Sequence, residues 1–253
     1  MTEPEHIHKQ RSKGVYLLPN LFTTAGLFAG FYAIIAAVDG NFANAAIAIF
    51  VAMIMDGLDG RVARMTKTES EFGAEYDSMA DMVSFGIAPA LVIHQWALTS
   101  WGKIGWLGAF VFAACAALRL ARFNTQLGSS DKRYFQGLAS PAAAALIAGF
   151  VWLGADFGWE GTDKRLLAII VSVSAGILMV TNIRYHSFKD IDLRGKVPFI
   201  VIVGLMVAFA VIYLHPPVVL FTGFFIYAVS GPVMALVKFK KPRSKEDNSD
   251  KAA

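Results

Sequence analysis

DGLDGRVARMTKTESEFGAEYDSMAD, residues 56–81, joins the end of one apolar run to the start of the next and carries four aspartates, two arginines and paired glycines. In water this would be a charged turn. At a bilayer surface a cluster of carboxylates is costly, and it marks a functional site. The surrounding chain shows that a bilayer is expected. Of 253 residues 56% are hydrophobic and only 17% charged, with a mean hydropathy of +0.52, far from the composition of a soluble domain. The net charge of +4 does not point to nucleic acid, because the basic residues are scattered over separate segments with no soluble domain to hold them. A membrane surface is the better match. Cys115 is the single cysteine, which excludes an intrachain disulfide.

Runs of roughly 20 apolar residues span a bilayer. Eight such runs lie at about 17–38, 43–63, 77–98, 104–124, 138–157, 166–184, 197–214 and 217–237. The fold expected is an all-α, polytopic membrane bundle. Pro141, early in the fifth run, and Pro216 and Pro217, between the last two, make those boundaries the weakest, and a six-span count would merge some of them. Of the 23 Lys and Arg, eight spans with an inside N-terminus place only Lys103, Lys164 and Arg165 on the outer side. Cytoplasmic segments hold the excess of these residues, so both termini and the aspartate stretch are expected to face the cytoplasm. A polar segment 1–16 precedes the membrane domain 17–237, and a basic, aperiodic tail 238–253 follows it. No cleaved signal peptide is expected.

Helical spacing gives the aspartates a common direction. Asp56 and Asp59 lie three apart on one face of the second span, with Gly60 and Arg64 four apart beside them. Gly73, Asp77 and Asp81 repeat every four residues along the third. Antiparallel packing of the two spans would bring four carboxylates together, where they would repel unless cations lay among them. Such hard oxygen donors select Mg²⁺, Mn²⁺ or Ca²⁺ over zinc. Gly60 and Gly73 leave room for a bulky ligand, and Arg64 offers a fork suited to phosphate.

The full pattern, Asp56, Asp59, Gly60, Ala63, Arg64, Gly73, Asp77 and Asp81, resembles the signature of the CDP-alcohol phosphatidyltransferase family. The resemblance implies a membrane enzyme, usually a homodimer, that moves a phosphatidyl group from a CDP-linked donor to an alcohol and releases CMP. It further implies Asp56, Asp59, Asp77 and Asp81 as ligands of Mg²⁺ or Mn²⁺, one or two per site, with Asp81 doubling as the base. Asn20, Thr23, Gly60, Ala63, Arg64, Ser70 and Gly73 would contact the donor, CDP-diacylglycerol.

That signature does not select the acceptor. The stretches YLLPNLFTTAGLFAGFYAI, ALRLARFN at 117–124 and YFQGLASPAAAA at 134–145 are similar to the phosphatidylserine synthase branch, which implies L-serine. Ala139 departs from the proline often found there. Arg119, Arg122 and Asn124 end the fourth span, where a guanidinium can meet a serine carboxylate and an amide can orient it; positive-inside anchoring is the competing role for the arginines. Glycerol 3-phosphate and inositol phosphate stand as alternative acceptors, for which a denser basic pocket would be expected. A cation transporter would place carboxylates near mid-membrane, and a lipid-binding scaffold would need no complete carboxylate set. Gly26 and Gly30 form a small-xxx-small pair for helix packing.

Overall fold

Each of the eight apolar runs forms a helix in the computed structural model, which describes residues 17–126, 134–186 and 199–240. These helices are α1 (Leu17–Val38), α2 (Phe42–Thr66), α3 (Glu71–Trp101), α4 (Lys103–Gln126), α5 (Ser140–Asp156), α6 (Arg165–Val180), α7 (Phe199–Leu214) and α8 (Pro216–Lys240). Five of them, α1, α2, α3, α4 and α8, are long and apolar enough to cross a membrane, and α5 is shorter but apolar. The chain is thus an integral membrane protein with several apolar helices. α8 carries three residues of the expected polar tail, through Lys240; the rest of that tail and segment 1–16 lie outside the described residues.

The bundle is organised around α5. Its Ala142–Ala145 run, Leu146, Ile147 and Val151 are buried, and α2, α6 and α8 pack about it. Small side chains let the neighbouring backbones approach: a Cβ on Gly149 would stand 3.0 Å from Phe221 Cα of α8. Pro141 falls in the first turn of α5, where its missing N–H is not needed, so it starts that helix rather than interrupting it.

α1 lies along α2 and also crosses α3. Gly30 serves this second contact, while a Cβ on Gly26 would face Met55 and Ala52 of α2. Ser84 donates to the Gly26 carbonyl at 3.1 Å, and a Cβ on Gly30 would meet Ser84 Oγ at 2.5 Å. α3 is regular from Glu71 to Asp81, then widens to i→i+5 bonding over Met82–Ile87. Pro89, just beyond, can donate no bond to residue 85, and a wider turn is one way a helix absorbs such a loss.

Among the described residues two short strands pair antiparallel, β1 (Tyr134–Gln136) and β2 (Arg184–His186). Gly137, at φ +79°, follows β1 and donates to the Ile183 carbonyl at 2.8 Å. The close approach of Met179, 2.2 Å from where a Cβ would sit, also requires glycine there. Tyr185 of β2 is fully buried and donates to the Ala228 carbonyl of α8 at 2.9 Å. Burial, then the neighbouring Tyr227, push its phenol up to about 12, so it remains a donor. The two strands are thereby tied to the end of the bundle where α4 stops.

Candidate functional site

The α2–α3 connection is short and is capped at both ends. Lys67 ends α2 in the left-handed region, φ 52°, and its N–H reaches the Ala63 and Arg64 carbonyls. Ser70 caps α3 by accepting the Gly73 N–H at 3.0 Å. This turn sets α3 beside α1, and the predicted stripes meet. Ligand oxygens of Asp56, Asp59 and Asp77 all lie within 4.8 Å of one another. Asp81 is in contact with the Asp56 carboxyl rather than sharing that common point. The four surround a cavity of about 10 Å³ that Thr23 also lines, room for a single water-sized species.

Clustered carboxylates without intervening cations repel, and this donor set is all hard oxygen, so the cluster can hold a divalent metal ion. Thr23 contributes from α1 by donating to Asp59 Oδ2 at 2.7 Å, shorter than its alternative contact with the Pro19 carbonyl at 3.2 Å. One turn along α2, the Arg64 guanidinium lies over Gly60, where an added Cβ would stand 3.9 Å from Nη1. Asn20 lies beside Gly73, its Oδ1 3.5 Å from an added Cβ. Thr24 hydrogen-bonds Tyr76 at 2.9 Å and ties α1 to α3 at the same level.

The predicted acceptor residues sit at the adjacent end of α4. Asn124 Nδ2 donates to Ser78 at 3.0 Å, one residue from Asp77. Arg122 donates to Gln136 of β1 and to Asn182 at 2.7 Å. Arg119 donates to Ser140 at 2.6 Å, and Asp81 and Asp56 are near enough to act on its charge. Ser78, Gln136, Ser140 and Asn182 carried no assigned role in the sequence reading. Gln136 and Ser140 stand within the quoted 134–145 stretch, but no local spacing links Asn182 to the site. At the opposite end of the bundle, Lys164 lies over the Trp159 ring at 4.9 Å and Arg165 over Trp101 at 5.7 Å. The two ends of the molecule therefore differ in kind.

Hard donors gathered where two apolar helices meet define a membrane protein with a carboxylate cluster that could hold a metal ion. Residues 16–181 match the family model for CDP-alcohol phosphatidyltransferase, and the chain belongs to that metal-dependent family. It is 41% identical over 197 residues to the CDP-diacylglycerol–serine O-phosphatidyltransferase of Helicobacter pylori, covering 77% of this chain and 82% of the relative. The Mycobacterium tuberculosis protein of the same name is 37% identical over 181 residues, covering 69% and 62% respectively. The archaetidylserine synthase of Methanothermobacter thermautotrophicus is 33% identical over 170 residues, covering 66% and 69%.

Proposed function

We infer that this chain transfers the phosphatidyl group of CDP-diacylglycerol to the hydroxyl of L-serine, giving phosphatidylserine and CMP. The observation that carries the reading is the convergence of Asp56, Asp59 and Asp77 within 4.8 Å, in a chain whose relatives are named for serine transfer. Mg²⁺ or Mn²⁺, singly or as a pair, held by these residues and Asp81, would supply charge neutralisation at the diphosphate. Arg64, which lies over Gly60, would hold the diphosphate, and Asn20, Thr23, Ala63, Ser70 and Gly73 would contact the donor beside it.

Asp81 accepts the proton of the serine hydroxyl as its oxygen attacks the phosphorus that bears the diacylglycerol. A new P–O bond to serine forms, the P–O bond to CMP breaks, and CMP departs with that electron pair. No covalent bond to the protein is needed. Residues 17–237 form the catalytic membrane domain, flanked by polar segments 1–16 and 238–253. The distribution of Lys and Arg favours a cytoplasmic-membrane enzyme whose site opens to the cytoplasm. There the donor's tails remain in lipid while nucleotide and serine come from water. A homodimer is the working assembly.

The test is CMP release by the purified full chain in detergent with CDP-diacylglycerol, Mg²⁺ or Mn²⁺, and serine, glycerol 3-phosphate or inositol phosphate in separate reactions. Serine-dependent release is expected. Release with another acceptor but not with serine would overturn the acceptor.

A further inference from the structure

The three residues near the end of α4 expected to meet the acceptor, Arg119, Arg122 and Asn124, are not equivalent. Both acceptors of Arg122, Gln136 Oε1 and Asn182 Oδ1, are met by the same nitrogen, Nη2, whose two protons are thereby committed. Asn124 is engaged with Ser78, which lies on α3 between the aspartates. Arg119 differs. Its Nη1 donates to Ser140, while its Nε is buried and has no partner. A buried N–H left unpaired is destabilising, and a native chain that retains one usually has a reason. Nε and Nη2 together form an edge of the guanidinium fork that matches the two oxygens of a carboxylate.

The surroundings of Arg119 give that edge a use. Asp81 and Asp56 from the carboxylate cluster and Tyr227 from α8 are near enough to act on its charge. A small ligand with an anionic end on Arg119 would then lie near the carboxylate cluster that includes Asp81. Serine fits this description, because its hydroxyl is separated from its carboxylate by a short carbon link. We propose that Arg119 receives the acceptor's carboxylate through Nε and Nη2, with Ser140 fixing the guanidinium's rotation through Nη1. Arg122, by contrast, positions β1 and the Asn182 turn. The proposal rests on the serine reading above and assigns the part of the site that recognises the amino acid.

The experiment uses the purified full chain with CDP-diacylglycerol and Mn²⁺, with L-serine or ethanolamine, which is serine without its carboxylate. Arg119→Lys keeps the charge and loses the fork. It is expected to raise the KM for serine by about tenfold or more, the scale of a lost charge-assisted hydrogen bond, while the KM for the donor stays within about twofold. Arg119→Gln is expected to bring the serine-to-ethanolamine ratio of CMP release close to one. Ser140→Ala is expected to raise the serine KM by a smaller factor. An unchanged serine KM in Arg119→Lys would overturn the proposal, as would equal rises in both KM values, which mark a merely structural role. Should Arg119→Gln fail to fold, the KM split in Arg119→Lys decides. No CMP release by the unaltered chain with serine would instead refute the activity itself.

Discussion

The carboxylate cluster between α2 and α3 and the polar clasp at the end of α4 lie side by side, yet they are balanced in opposite ways. In the cluster, like charges converge: Asp56, Asp59 and Asp77 within 4.8 Å, Asp81 against Asp56, and one hydroxyl, Thr23, donating to Asp59. In the clasp, Arg122 is met by Gln136 and Asn182, and Asn124 by Ser78. A self-satisfied network rigidifies what it joins, whereas an unbalanced one has to be completed from outside. The cluster is accordingly where ligand charge must arrive, and the clasp is what holds the neighbouring wall in place. Arg119 belongs to the clasp by position and to the cluster by its open valence.

The largest effect should follow from removing a cluster carboxylate. Asp77→Ala is expected to lower CMP release by roughly a thousandfold or more, since several kcal/mol of charge stabilisation depend on the set. Asp81→Asn should abolish turnover and retain measurable donor binding; near-normal turnover would remove Asp81 as the base. Chelation of divalent ions should silence the unaltered chain, with activity restored by Mg²⁺ or Mn²⁺.

A smaller loss tests whether Thr23 tunes the cluster. Thr23→Val removes a hydrogen bond to a charged group, about 1.5–3 kcal/mol. About tenfold more metal ion should then be needed for half-maximal activity, read from a metal titration. The seam between α1 and α3 can be tested through Ser84, which also lines the cavity at the cluster. Gly30→Ala places a Cβ 2.5 Å from Ser84 Oγ, and overpacking of this kind costs about 1–3 kcal/mol. A lower melting temperature is the readout.

The smallest effect is expected at the clasp. Asn182→Ala removes one of the two acceptors of Arg122; this bond is exposed where the Thr23–Asp59 bond is buried, so water replaces much of it and the loss is about 1 kcal/mol. It should lower the melting temperature slightly and leave the metal requirement unchanged. A large shift in metal requirement in that variant would break the division between cluster and clasp.

This division also explains what could be read from the sequence. Asp56 and Asp59 lie one turn apart, Gly73, Asp77 and Asp81 repeat with the helix, and the turn from Lys67 to Ser70 brings the stripes together, so every step is local. The clasp is built from residues 14, 21, 46 and 60 positions apart, and helical periodicity carries no information at such separations. For the same reason Arg119, Arg122 and Asn124 looked alike as a string at the end of one helix, although their partners come from different elements. All eight helices followed from apolar run length, and Pro141 was misleading only until its place in the first turn of α5 was known. The widened turn just after Asp81 had no counterpart in the hydrophobic pattern, because Met82–Ile87 remains apolar whichever way its backbone bonds.

The most direct test of the central claim is CMP release from CDP-diacylglycerol by the purified chain, measured with and without L-serine and with and without a divalent ion. Release that requires both is the predicted result. Release that is indifferent to serine, or that persists in full after chelation, would contradict it.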